Sequence, residues 1–176
     1  MGDFMEPTIR GSLFLIGFMG AGKSSVAAAL GKMLEREVME MDDCIVRREN
    51  LSIPEIFAQK GEPYFRQCET ALLRECAAWE PLVISCGGGV PMREENVAAM
   101  RSCGTIILLT ARPEVILERV KDDHSRPLLE GHKDTAYIAE LMEKRRPKYA
   151  AAADLTVDTS CLTIQEVCHE IISKIN

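Results

Sequence analysis

An α/β fold, with a parallel sheet covered by helices on both faces, is what three features of this sequence predict. Residues 17–24 read Gly17-Phe18-Met19-Gly20-Ala21-Gly22-Lys23-Ser24, a complete GxxxxGK(S/T) pattern. Short apolar runs alternate along the chain with longer segments of helical character. Runs such as Leu13-Phe14-Leu15-Ile16 and Thr105-Ile106-Ile107-Leu108-Leu109 are apolar almost throughout, as strands of a sheet buried on both sides are.

Leu13 to Ile16 is the first strand, and Ser25 to Leu34 is the helix that leaves the glycine-rich loop. Glu37 to Met41 reads as a short second strand. A helical region follows from about Ile53 to Trp79, broken near Gly61-Glu62-Pro63, where glycine and proline punctuate the pattern. Leu82 to Cys86 is the third strand and Glu94 to Arg101 a helix; Thr105 to Leu109 is the fourth strand. The next helix runs from Pro113, a residue suited to a first helical turn, to about Lys121. Asp122 to Asp134 is polar and carries Pro127 and Gly131, so a mobile loop is expected there. Thr135 to Ala153 reads as helix despite Pro147, Leu155 to Val157 as the last strand and Thr163 to Ile175 as the final helix. No repeat or low-complexity tract interrupts the pattern. A chain of 176 residues is long enough for one domain with a substantial core, and a single domain over 1–176 is expected.

Composition narrows the function. A formal net charge of -6 argues against nucleic acid as a partner, which would favour a basic face. No apolar run approaches the length of a membrane span, and the first ten residues lack a signal-peptide pattern. Met1-Gly2 begins a myristoylation pattern, but Glu6 stands where Ser or Thr is required. A cytoplasmic location, with no membrane partner, is expected. The residues before Gly11 carry no motif and are expected to form an exposed leader. The seven cysteines are odd in number and contain no CxxC pair, so they read as small hydrophobes rather than as a disulfide or zinc framework. His124, His132 and His169 are scattered and form no metal pattern.

In an open parallel sheet, ligands bind beyond the carboxyl ends of the strands, so the residues that follow each strand carry the chemistry. After the first strand, the glycines let successive backbone N–H groups turn inward around phosphate oxygens, with the partial positive charge of a helix N-terminus behind them. Gly20, Ala21, Gly22, Lys23, Ser24 and Ser25 are the nucleotide-binding candidates. Lys23 reaches the β- and γ-phosphates, and the Ser24 hydroxyl is placed to ligate Mg²⁺. Phosphate-loop proteins commonly add an Asp at a central strand end, but the third and fourth strands here end without one. Glu40 and Asp42, after the second strand, are therefore the acids available near the metal, whereas Asp43 is expected to be solvated. Gly87-Gly88-Gly89 follows the third strand. Three successive glycines lose much backbone entropy on folding, which points to close packing of a small polar substrate against them.

The ordered set of motifs resembles a known family. The phosphate loop, the acidic strand end, Ser52-Ile53-x-x-Ile56-Phe57, Gly61-Glu62-x-x-Phe65-Arg66, Ser85-Cys86-Gly87-Gly88-Gly89, Arg126-Pro127-Leu128-Leu129 and Arg145-Arg146-Pro147-Lys148-Tyr149 occur as they do in shikimate kinases. The resemblance runs from about Leu13 to the C-terminus. It implies a three-layer α/β/α, nucleoside-monophosphate-kinase-like P-loop fold with a five-stranded parallel sheet. It also implies ATP-dependent phosphorylation of the 3-hydroxyl of shikimate on the route to chorismate and the aromatic amino acids. A helical region over about 44–79 would bind substrate, and the loop over about 122–134 would be a lid.

The resemblance further implies that Arg66 and Arg145 grip the shikimate carboxylate through charge-assisted forks. Asp42 matches the acid that accepts hydrogen bonds from the substrate hydroxyls and takes the proton of the attacking one, while Gly87, Gly88 and Gly89 line the substrate. Lys23, Mg²⁺ and Arg126 would neutralise charge around the transferring group, and Arg119 matches the residue that packs against adenine. Catalysis thus falls to Lys23, Asp42 and Arg126, with ATP and Mg²⁺ as cofactors and a monomer expected. One departure concerns the metal. The family's usual Asp-x-Asp is Glu40-Met41-Asp42 here, so either Glu40 or Asp43 completes the Mg²⁺ site with Ser24. Two alternatives stay open, a kinase of another small polyol acid such as gluconate and a non-catalytic ATP-binding regulatory module.

Overall fold

The computed structural model describes residues 9–121 and 134–176. Five strands, β1 (Ser12–Ile16), β2 (Val38–Glu40), β3 (Val83–Ser85), β4 (Gly104–Thr110) and β5 (Leu155–Asp158), form one sheet in the order β2-β3-β1-β4-β5. Every adjacent pair is parallel. Leu13, Phe14, Leu15 and Ile16 are all fully buried, as the unbroken apolar run of the central strand requires.

Handedness places the helices. The chain moves one way across the sheet from β1 to β2 and the other way from β2 through β3 and β4 to β5. Right-handed crossovers then put α1 (Lys23–Met33) on one face and α4 (Glu62–Cys76), α5 (Glu94–Cys103) and α7 (Thr135–Ala152) on the other. The packing agrees, since α1 lies against α8 (Ile164–Ile175), and α5 packs on both α4 and β4. The loops after β1 and β3 consequently diverge to opposite faces, which opens a crevice at the carboxyl ends of these two neighbours.

The elements follow the expected order, with instructive differences at their ends. The second strand stops at Glu40, and Met41 begins a helix, α2 (Met41–Glu49), that periodicity did not reveal. Met41 is fully buried while Asp42 and Asp43 occupy the first turn, so the apolar residue turns to the core and the acids sit at the positive end of the helix. The break near Gly61 is a single residue (φ +85°) that ends α3 (Ile53–Lys60) and starts α4. A reciprocal capping box between Ser52 and Glu55 opens α3, which gives that motif a local physical reason. Glu49 braces the three helices by accepting from Lys60 Nζ at 2.8 Å and from the Tyr64 hydroxyl at 2.9 Å.

The triple glycine runs into a short 3₁₀ turn (Val90–Met92). Helix α6 (Pro113–Val120) begins at its proline as expected, and α7 passes through Pro147. Asp134, expected in the loop, instead caps α7 by accepting from the Tyr137 N–H at 2.8 Å. The rest of that loop, with Arg126, Pro127, Leu128, Leu129, His124 and His132, lies outside the described residues, as do residues 1–8. Ile9, expected in the exposed leader, is instead buried, and its carbonyl, like that of Gly11, accepts from the Arg36 guanidinium. All seven cysteines are unpaired thiols; Cys161 is exposed, whereas the other six are buried or partly buried, and burial pushes the Cys76 thiol up to about 12, as suits an inert packing group. No described helix is long and apolar enough to cross a membrane.

Candidate active site

The phosphate loop is set by where β1 ends. Gly17 has φ +147°, and a Cβ there would collide with the Leu109 carbonyl of the neighbouring strand. Gly22 (φ +98°) caps α1 in the left-handed region, which turns the first helical N–H groups towards the crevice. Lys23 is almost fully buried, its ammonium donating to Gly17 O at 2.6 Å and Phe18 O at 3.1 Å inside the loop. Ser24 and Ser25 are exposed on the first turn.

These residues open onto a cavity of about 500 Å³, also lined by Gly20, Glu40, Asp42, Asp43, Ser52, Ser85, Cys86, Gly87 and Gly88. The structure thus brings Ser24, Glu40 and Asp42 to one cavity, with the exposed Asp43 at its rim. The donor set is oxygen only, as a hard divalent cation prefers. Among the described residues no three His, Cys, Asp or Glu side chains form a cage for a metal. That pattern fits Mg²⁺, which keeps several waters and takes phosphate oxygens alongside one or two protein ligands.

Each glycine of the triplet makes room for a different polar side chain. A Cβ on Gly87 would meet Glu69 Oε2 at 2.6 Å and Asp42 Oδ1 at 3.2 Å. One on Gly88 would meet Arg145 Nη1 at 3.0 Å, and one on Gly89 would overlap the Arg66 guanidinium, at 2.6 Å from Cζ. The loop is therefore a floor on which two cations and two acids converge, with Gly88 lying 3.6 Å (as a Cβ) from the phosphate-loop backbone. Arg145 sits over the Phe18 ring at 5.6 Å, and the Tyr149 hydroxyl, one turn on, donates to Gly88 O at 2.6 Å. Arg146 points the other way, exposed and paired with Glu143 at 2.9 Å. Arg119 is exposed beside the loop and donates to Gly20 O at 2.9 Å and to Thr159 Oγ1 at 3.3 Å. Arg112 lies elsewhere, at the N-cap of α6.

Sequence reasoning missed Glu69. It is fully buried, three residues after Arg66 on α4, and Oε1 accepts from Arg66 Nη1 at 2.7 Å while Oε2 has no hydrogen-bond partner among the described residues. Glu62 holds the other side of the same guanidinium, Nη2 to Oε1 at 3.0 Å. The i, i+3 spacing is visible in the sequence, but a surface ion pair has that spacing too. Burial pushes the Glu69 carboxyl up to about 7, against the pull of Arg66, and the negative charge of Asp42 adds to the rise.

A carboxyl whose folded pKa lies above its ordinary value of 4.5 destabilises the native state once ionised. That cost is absent below about pH 4.5, grows as pH rises to about 7, and is constant above. Relative to Glu69→Gln, the protein should lose about 3 kcal/mol across this window. Urea midpoints of both proteins between pH 4.5 and 8 test this, and a gap independent of pH would contradict it.

A parallel 2-3-1-4-5 sheet with a phosphate loop after its central strand, facing convergent arginines and carboxylates, defines a P-loop small-molecule kinase of the nucleoside-monophosphate-kinase-like class. The family model described as shikimate kinase matches residues 19–176, and the chain belongs to the shikimate kinase family. The shikimate kinase of Dehalococcoides mccartyi (strain ATCC BAA-2266) is 42% identical over 167 residues, 95% of this chain and 94% of that protein. Among solved structures, shikimate kinase from Acinetobacter baumannii in complex with shikimate superposes with a TM-score of 0.90 at 32% identity, covering 96% of this chain and 93% of that one. Shikimate kinase from Aquifex aeolicus gives 0.77 at 38% identity, over 93% and 95%. A gluconokinase from Sinorhizobium meliloti matches with a TM-score of 0.57 at 16% identity, over 95% and 92%, a likeness of fold alone.

Proposed function

We infer that this chain, an ATP-dependent shikimate kinase by family, transfers the γ-phosphoryl group of ATP to the 3-hydroxyl of shikimate through the crevice between β1 and β3. The observation that carries the reading is the convergence of Arg66, Arg145 and Asp42 on the glycine floor beside the phosphate loop. A ring bearing one carboxylate and three hydroxyls needs both an arginine fork and an acceptor for hydroxyl protons, at opposite ends of a small site.

Gly20 to Ser25 hold the ATP phosphates on backbone N–H groups, and Lys23 reaches the β- and γ-phosphates from its place inside the loop. Arg119 packs against adenine. Arg66 and Arg145 orient the ring by its carboxylate, with Phe18 and Tyr149 holding Arg145 and the two glutamates holding Arg66. Asp42 accepts the proton of the 3-hydroxyl as its oxygen bonds to the γ-phosphorus. The bond from that phosphorus to the β,γ-bridging oxygen breaks, and ADP leaves. Arg126, on the expected lid, neutralises charge on the transferring group. Mg²⁺, held by Ser24 and Glu40, would supply charge neutralisation across the β- and γ-phosphates.

An ADP-release assay with a panel of acids tests the activity. Release with shikimate and not with gluconate is expected; release with gluconate alone, or with no acceptor, overturns it. The metal assignment makes a separate prediction, because ligand-supporting carboxylates tune affinity more than chemistry. Glu40→Gln should raise the Mg²⁺ concentration at half-maximal rate by about 10- to 100-fold, with kcat restored at saturating Mg²⁺. An unchanged Mg²⁺ requirement would transfer the role to Asp43.

A further inference from the structure

Asn96 is a fully buried amide on α5, one turn before the fully buried Met100. Burying an amide is unfavourable unless both of its ends are bonded, and here they are. Asn96 Nδ2 donates to Val90 O at 2.9 Å, and Asn96 Oδ1 accepts from the Thr70 hydroxyl at 2.7 Å. Val90 O can only accept, so the amide has one orientation and must present oxygen to Thr70. The Thr70 hydroxyl in turn accepts from Arg93 Nη1 at 3.0 Å, and the same guanidinium nitrogen donates to Arg66 O at 3.2 Å.

The chain Arg93–Thr70–Asn96–Val90 therefore joins two places that matter to the site. One is the turn of α4 that begins at Arg66, since Thr70 lies four residues on and thus on the same helical face. The other is the 3₁₀ turn directly after the triple glycine, where Val90 N donates to Gly87 O at 3.1 Å and Met92 N to Gly89 O at 3.1 Å. Between them the Arg66 guanidinium lies directly against Gly89, where a Cβ would meet it. Glu62 and Glu69 orient that guanidinium from α4 itself and cannot set its distance from the glycine floor. The polar chain, by contrast, spans the two elements.

We propose that Thr70, Asn96 and Arg93 are positioning residues for the substrate carboxylate, fixing the separation between the Arg66 guanidinium and Gly88-Gly89. The proposal rests on the assignment of Arg66 to the shikimate carboxylate. None of the three need touch substrate; Thr70 and Asn96 are buried behind the arginine.

Thr70→Val keeps the shape and removes the hydroxyl, leaving Asn96 Oδ1 without its donor. It is expected to raise KM for shikimate about 10-fold, with kcat and KM for ATP within about twofold, because the displaced fork acts on binding of one substrate only. Thr70→Ser should restore the wild-type KM. In an Arg66→Ala background, Thr70→Val should add nothing, since its effect passes through the arginine. If Thr70→Val does not fold, Arg93→Met, at a half-exposed position, removes the donors at the start of the chain and should show the same selectivity for shikimate KM.

Three results overturn the proposal: a folded variant with unchanged shikimate KM, both KM values rising together, or an effect that adds to that of Arg66→Ala. If Arg66→Ala itself leaves shikimate KM unchanged, the carboxylate assignment falls first, and the two failures are told apart by that control.

Discussion

Asp42→Asn lowers kcat for shikimate phosphorylation by about 10²- to 10⁴-fold while KM for ATP stays within about twofold. The substitution keeps the size and much of the hydrogen-bonding capacity of the side chain but removes its ability to accept a proton from the attacking hydroxyl. Asp42 stands on the first turn of α2, where the fully buried Met41 beside it locks the backbone, so the variant should fold as the wild type does. The contrast with Glu40→Gln is the decisive comparison. The two acids line one cavity, yet only one is assigned to the proton and the other to the metal. Equal losses in both variants, with the Mg²⁺ requirement unchanged in each, would dissolve the division. Pre-steady-state measurement of the phosphoryl-transfer step separates a chemical loss from slow product release.

Arg66→Ala should raise shikimate KM by about 100-fold and also destabilise the fold, by about 1 to 3 kcal/mol. The first effect is the loss of a charge-assisted fork to a carboxylate. The second arises because Glu69 is fully buried and bonded through Oε1 to the Arg66 guanidinium at 2.7 Å, so truncation leaves a buried carboxyl without its donor. The two effects part company in a double variant. Arg66→Ala with Glu69→Gln should recover most of the stability and none of the shikimate affinity, read from urea midpoints and from KM. A double variant as unstable as the single one would show that the arginine packs rather than neutralises. Unchanged KM in either would remove Arg66 from the carboxylate site.

The sheet, its parallel sense and the phosphate loop were legible in the sequence because each rests on local chemistry. A short apolar run such as Leu13 to Ile16 entering a glycine-rich turn suits a strand buried on both faces, and Lys-Ser at this spacing after the glycines suits a phosphate-binding turn better than a plain one. Helix α2 was not legible from periodicity, since nine residues of mixed polarity give too short a period, and only the resemblance put a helical region there, from about residue 44. The triple glycine announced a close approach but not its partners. Those partners, Glu69 with Asp42, Arg145 and Arg66, lie up to tens of residues away along the chain and meet only across the crevice.

Burial marks the same boundary. Glu69, Thr70 and Asn96 read as ordinary polar helix residues, and nothing in their spacing tells a solvated face from an interior one. The sequence alone determined that this chain folds around a parallel sheet, carries a nucleotide loop at the end of β1, and bears the ordered motifs of a shikimate kinase. Tertiary structure alone decided that a buried carboxyl stands behind Arg66 on α4, whereas the choice of Arg145 over Arg146 was already implied by the resemblance. Backbone periodicity is written locally, whereas the dielectric around a charge is set by every element packed against it.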